Sequence, residues 1–223
     1  MQRLADVMGK DKLRKFAEID TFANVLQLDA GKQMKGQWAS KHFGNDRPVV
    51  LELACGKGEY TVNLAKLFPE RNFIGIDYKG NRIWRGAKTA LEGEIKNAVF
   101  LRMQIENIVD YFDQGEVAEI WITFPDPQPQ KSREKKRLTH PSFLAKYQQI
   151  LKPDGVMHLK TDNDGLFAYT RDTIERLGAT IRQQTEDLYS SPLLNEVLSI
   201  QTYYERKYLE VAKSINYIMW SWP

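Results

Sequence analysis

The sequence has a single cysteine, Cys55, among 223 residues. That excludes an internal disulfide and any metal site built from several thiolates. The same loop position gives Cys55 no neighbouring histidine to activate it, so it reads as a small loop residue and not a nucleophile. Histidine is scarce as well. His42, His140 and His158 are the only three, and each reads as structural or exposed rather than as a general base. No long uncharged run exists. The longest is the last ten residues, Ser214 to Pro223, against the roughly 20 that a membrane span needs. The N-terminus carries Asp6, Asp11 and Glu18 among its bases and lacks the apolar core of a signal peptide. There is no internal repeat and no low-complexity segment. The expectation is an intracellular, cytoplasmic protein without a membrane segment or a metal, either monomer or homodimer.

What is present is an ordinary globular balance, 42% hydrophobic and 27% charged. Net charge is only +3, but it is unevenly spread. Lys131, Arg133, Lys135, Lys136 and Arg137 stand against one acid, Glu134, so this segment alone carries +4 and the remainder sums to −1. A concentrated patch on a near-neutral body suits a polyanion, although a solvated charge run is the simpler reading. Residues 1–47 form a second basic region. They hold Arg3, Lys10, Lys12, Arg14, Lys15, Lys32, Lys35, Lys41 and Arg47 against six acids. Lys12 to Leu28 has helical spacing at Leu13, Phe16, Ala17, Phe22, Val25 and Leu26. This predicts a partly helical N-terminal extension over 1–47, followed by one domain over 48–223.

From Pro48 apolar runs alternate with helical patterns. Strands are expected at Val49–Ala54, Asn72–Tyr78, Ala98–Met103, Glu119–Phe124 and Val156–Asp162. Helices are expected at Tyr60–Phe68, Asn81–Gly93, Glu106–Phe112, Pro141–Leu151 and Leu166–Leu177. Near-continuous apolar strands between helices mean a parallel sheet covered on both faces. Two further runs, Thr180–Leu188 and Ser214–Trp222, change the period and suggest an antiparallel finish. The expected fold is therefore α/β: a Rossmann-like, doubly wound, mostly parallel seven-stranded sheet with an antiparallel C-terminal strand.

Ligands of such sheets bind at the carboxyl ends of the strands. Those ends supply Glu52 with the Cys55-Gly56-Lys57-Gly58 loop, then Asp77, Gln104, Asp126 and Asp162. Gly56 and Gly58 follow a strand and precede a helix, so backbone can approach a ligand closely. A dinucleotide fingerprint would need a third glycine where Thr61 stands, which weighs against a dehydrogenase. Asp77 is spaced to accept two ribose hydroxyls, as an adenosyl ligand without phosphates would require.

With these residues the chain resembles class I S-adenosylmethionine-dependent methyltransferases, whose acid-x-Gly-x-Gly-x-Gly loop has Ala54 in its first glycine position here. The fourth strand narrows the resemblance. Ile122-Thr123-Phe124-Pro125-Asp126-Pro127 leads into the basic cluster and then Leu138-Thr139-His140. Lys160-Thr161-Asp162-Asn163 and Thr202-Tyr203-Tyr204-Glu205 follow. In order and spacing these are similar to the tRNA (guanine-N7-)-methyltransferase family, from about Val49 to the C-terminus. The resemblance implies S-adenosyl-L-methionine as cofactor, held by Glu52, Gly56, Gly58, Asp77, Gln104 and Asp126. It implies tRNA as partner and a variable-loop guanine as target, with substrate positions at Gln130, Asp162, Thr202, Tyr203, Tyr204 and Glu205. Lys131, Arg133, Lys135, Lys136 and Arg137 would track phosphates, with Lys10, Lys12, Arg14 and Lys15 as a second surface. Gln104 stands where the family has Asp, Gln128 where it has Trp, and Gln130 where it has Lys.

Guanine N7 has no proton to remove, so the reaction asks for positioning and charge stabilisation more than for a base. Asp126 and Asp162 are the expected catalytic carboxylates. Glu205 or Asp162 would accept from the guanine N1–H and amino group, and Tyr203 and Tyr204 would stack on the extruded base. Two other readings stay open on sequence alone: a methyltransferase acting on another base or substrate, and a non-catalytic RNA-binding module.

Overall fold

The structure, a computed structural model, describes residues 2–223, with side chains from residue 11 onward. The side chains of Arg3 and Lys10, counted above among the N-terminal bases, lie outside the described residues. The elements in chain order are α1 (Gln2–Ile19), β1 (Val25–Gln27), α2 (Asp29–Lys32), β2 (Val49–Leu53), α3 (Glu59–Leu67), β3 (Asn72–Asp77), α4 (Gly80–Glu92), β4 (Ala98–Arg102), β5 (Val117–Thr123), α5 (Pro141–Ile150), β6 (Leu151–Thr161), α6 (Asp164–Arg176), β7 (Thr180–Thr185), α7 (Tyr203–Glu210) and β8 (Asn216–Ser221). Tight helical turns fill Trp38–His42, Ile105–Asp110 and Lys131–Lys136.

The strands make one eight-stranded sheet in the order β1-β4-β3-β2-β5-β6-β8-β7. β8 alone runs against its neighbours; it is antiparallel to both β6 and β7. Every residue of β2 and of β3 is buried, as a strand covered on both faces requires. Alternate residues of β2 serve the two layers. Val49, Leu51 and Leu53 point into one core with α5, α6 and Trp220. Val50 points into the other with α3 and α4. The chain winds outward from β2 through β3 to β4, then returns to place β5 on the other side of β2. That reversal opens a crevice between the carboxyl ends of β2 and β5, where doubly wound sheets bind their ligands.

The sheet has eight strands where seven were expected. The extra one, β1, lies in the stretch whose spacing suggested a helix to Leu28. The helix stops at Ile19, and Val25–Gln27 adds to the edge beside β4 in register with Phe100–Arg102. Residues before 48 also reach the core. Trp38 is fully buried, donates its indole N–H to the Tyr111 carbonyl at 2.8 Å and stacks on Phe112. α7 was likewise not anticipated as a helix. Its start is a capping box in which Thr202 and Glu205 satisfy each other's backbone N–H groups.

Candidate active site

At the switch point the carboxyl ends of β2, β3, β4 and β5 surround a cavity of about 580 Å³, a volume that suits a small-molecule ligand. Ala54, Asp77, Gln104 and Asp126 all line it, one from each strand end. The turns that present them are bent into unusual backbone conformations. Ala54, Phe124 and Gln128 have φ of 55°, 49° and 45°, a region that residues other than glycine occupy at a cost. Gly58, at φ 67°, starts α3, and a Cβ there would lie 2.3 Å from the Phe100 ring. The glycine lets the loop close tightly onto the sheet.

Asp77 ties this loop to the next one. One carboxylate oxygen accepts the Gly56 N–H at 3.1 Å and the other accepts the Lys79 N–H at 2.8 Å. A carboxylate has about four acceptor directions, so each oxygen retains one for a ligand in the cavity. Asp126 is exposed, and one of its oxygens accepts the Gln128 N–H at 3.1 Å. Gln104 is exposed at the foot of the turn that begins at Ile105.

Glu52 is placed differently from its expected position. It does not line the cavity. It is 2% exposed; one oxygen accepts from the Thr61 N–H and hydroxyl, and the other accepts from the Thr123 hydroxyl at 2.8 Å. The carboxyl group therefore braces the loop after β2 against β5 from beneath. Burial pushes its pKa up to about 7, with the threonine hydrogen bonds opposing. Cys55 is buried beside it. Burial, with Glu52 and Asp77 adding to the effect, holds the thiol well above its ordinary pKa, so it is a packed thiol.

The substrate positions fall into three groups. Lys136 and Tyr204 line the cavity. Gln130, Lys131, Arg133 and Lys135 are exposed on the turn that leads away from it. Arg137 is not free: its guanidinium lies 4.3 Å over the Tyr169 ring and its Nε donates to the Gln128 carbonyl at 3.2 Å. It anchors the basic turn. Asp162, at the end of β6, stands one strand beyond the cavity and is ion-paired with Lys213. Lys213 in turn lies 5.0 Å over the ring of Tyr208, which does line the cavity.

Thr202, Tyr203 and Glu205 are not cavity residues. Thr202 caps α7. Tyr203 donates its backbone N–H to Glu59 at 2.7 Å and has Lys57 Nζ 3.8 Å over its ring. Glu205 is fully buried and ion-paired with Lys160 at 2.7 Å. Burial raises the pKa of the acid and lowers that of the base, while each partner opposes the other's shift. The expectation that Glu205 accepts directly from a guanine meets this obstacle: the carboxylate has no exposed surface. The second basic surface is also smaller than its composition suggested. Arg14 pairs with Asp11 and Glu18, and Lys15 with Asp11. Both lie over Trp84 on α4, which leaves Lys12 the uncommitted base of that group among the described side chains.

Sequence reasoning missed Lys79, Arg82 and Tyr208 in the lining. Tyr208 had a signal, since it sits one helical turn after Tyr204 and shares its face. Arg82 had one too, lying in the first turn of α4 just after Asp77. None of the three histidines lines the cavity. His140 caps α5 through Nδ1, and His158 stacks on Trp121 and hydrogen-bonds Tyr217.

Comparison with known proteins adds three findings. A family model described as "Putative methyltransferase" matches residues 46–217. The tRNA (guanine-N(7)-)-methyltransferase of Bacteroides thetaiotaomicron is 47% identical, over 97% of this chain and 87% of that protein. That of Christiangramia forsetii is 50% identical, over 94% and 97%. Among solved structures, the 16S rRNA methyltransferase KamB superimposes with a TM-score of 0.62 at 15% identity, covering 89% of this chain and 95% of that one. At that identity the likeness is one of fold.

Proposed function

This chain belongs to the tRNA (guanine-N(7)-)-methyltransferase family, and on that premise we propose that its cavity holds S-adenosyl-L-methionine beside a variable-loop guanine of tRNA. The observation that carries the reading is Asp77. Its carboxylate faces the cavity with an acceptor direction left on each oxygen, which matches the two hydroxyls of a ribose. Ala54, at φ 55°, brings the loop after β2 to the cavity, and Gln104 offers an amide to a base edge. Glu52 contributes by bracing this loop, not by contact.

When bound, S-adenosyl-L-methionine supplies an electrophilic methyl group. The chain's own work is to orient and to balance charge. Guanine N7 presents a lone pair, so no residue needs to remove a proton. Positive charge grows on the guanine ring as N7 is alkylated, and the exposed Asp126 carboxylate at the cavity edge stabilises it. Asp162 supports the same edge through Lys213 and Tyr208. Tyr204, half exposed, offers a ring for the extruded base to stack on. Lys131, Arg133, Lys135 and Lys136 on the neighbouring turn meet the phosphates, with Lys12 on α1 as a second contact. Its tRNA partner supports a cytoplasmic location. No helix among the described residues is long and apolar enough to cross a membrane.

The test is nucleoside analysis of tRNA from a strain lacking this chain. Selective loss of 7-methylguanosine supports the reading. Loss of another methylated nucleoside, with 7-methylguanosine intact, would replace guanine N7 by a different target.

A further inference from the structure

Behind the Tyr204 wall lies a polar assembly that the proposed reaction does not use. Lys160, the second-last residue of β6, is fully buried. Its Nζ reaches Glu205 Oε1 at 2.7 Å, the Leu198 carbonyl at 2.8 Å and the Ile200 carbonyl at 3.1 Å. An ammonium has three donors, so all are engaged. Glu205 is equally buried. Its Oε1 also accepts from the Tyr189 hydroxyl at 3.0 Å, and its Oε2 accepts the Thr202 N–H at 3.3 Å. No other ion pair among the described residues has both side chains fully buried.

The backbone of Lys160 serves the opposite wall. Its carbonyl accepts the N–H of Phe124 at 2.9 Å. Phe124 is the residue at φ 49° that turns the chain into Pro125-Asp126. The two walls then meet, with the Phe124 and Tyr208 rings 6.0 Å apart. Lys160 therefore fastens both the turn that carries Asp126 and, through Glu205, the helix that carries Tyr204 and Tyr208.

We propose that Glu205 acts through Lys160 and not on the substrate: the buried pair is a strut that sets α7 against the cavity, and Lys160 is a positioning residue for methyl transfer. The proposal rests on the tRNA methyltransferase reading. Burying two charges is costly, and removing one partner strands the other, whereas neutral replacements on both sides are commonly tolerated. A strut and a substrate contact therefore respond differently to single and double substitution. The other ionisable side chains around the pair are Tyr60 of α3, whose ring lies 5.2 Å from Nζ, and Tyr189; burial raises the pKa of both. Glu205 itself, Tyr217 of β8, Glu52 of β2 and Glu119 of β5 add to the rise at Tyr60.

The experiment measures steady-state methylation of a tRNA transcript, and S-adenosyl-L-methionine affinity, from pH 6 to 9. It uses the parent, Lys160→Met, Glu205→Gln and the double variant. The parent is assayed first, and an inactive parent would overturn the methyltransferase reading and the strut with it. In an active series, Lys160→Met lowers kcat at least tenfold at high pH while cofactor affinity stays within threefold. Its rate recovers toward low pH, as the stranded Glu205 takes up a proton. The double variant loses that pH limb and returns to within about fivefold of the parent. If Glu205 instead touches substrate, Glu205→Gln and the double variant share a raised KM for tRNA, Lys160→Met keeps its kcat, and the proposal falls. Should Lys160→Met fail to fold, amide exchange over 203–210 in Glu205→Gln decides: at least tenfold faster exchange supports the strut, and unchanged exchange overturns it.

Discussion

The Asp77 carboxylate accepts the backbone N–H of Gly56 at 3.1 Å, so one side chain from β3 fixes the loop that follows β2. With its other oxygen on Lys79, it is both the brace of the cavity's floor and the acceptor left for a ribose. Asp77→Ala is expected to weaken S-adenosyl-L-methionine binding by roughly 2–4 kcal/mol, because charged hydrogen bonds to two hydroxyls are lost. Calorimetry checks it. Equal affinity in variant and parent contradicts the ribose assignment.

Glu52 gives a pH dependence of stability. Its pKa is raised from 4.5 to about 7 in the folded chain, so folding favours the protonated acid. That contribution is whole below about pH 4.5, declines as the pH rises and is gone above about 7. Its full size is about 3 kcal/mol at 1.36 kcal/mol per pKa unit. Glu52→Gln keeps the shape and removes the titration. Urea unfolding at pH 5 and pH 8 should show a smaller difference for the variant than for the parent. Identical differences would mean that the acid is ionised without penalty.

For Asp126, the expected effect is on turnover. Asp126→Asn should slow single-turnover methylation by on the order of 10²–10³, the usual cost of one charge-stabilising group, with little change in cofactor affinity. A variant as fast as the parent would reduce Asp126 to a turn former holding the Gln128 N–H.

The basic turn is tested by salt. Lys131, Lys135 and Lys136 are exposed, whereas Arg137 is spent on Tyr169 and Gln128. Each phosphate contact contributes about 0.7–0.9 to the slope of log affinity against log salt, so replacing the three lysines with Ala should flatten it by roughly 2–3. Arg137→Ala should instead lower stability. Parallel salt lines for the triple variant and the parent would remove the turn from the RNA interface.

Much of this site was legible in the sequence. β2, β3, β5 and β6 announce themselves as apolar runs ended by Gly, Pro or an acid and β4 as one that runs into Gln104, and Asp77, Gln104 and Asp126 are found together at the cavity. What was not legible depends on distant partners. β1 has three half-buried residues and becomes a strand by pairing with β4. Glu52 reads as a ligand carboxylate until Thr61 and Thr123 are seen to enclose it. Glu205 reads as a substrate acceptor until Lys160, on another element, is found against it. The Thr202-x-x-Glu205 pattern did carry a local signal, a capping box, and that is the role its backbone and side chains fill.

The central claim is methyl transfer to guanine N7, and one substitution in the RNA tests it most directly. Purified protein is given S-adenosyl-L-methionine and either an unmodified tRNA or the same tRNA with 7-deazaguanine at the variable-loop target, and methylated nucleosides are measured. The account predicts 7-methylguanosine in the first RNA and no methyl incorporation in the second, which has carbon in place of the nucleophilic nitrogen. Equal incorporation into both RNAs, or none into the first, would contradict it.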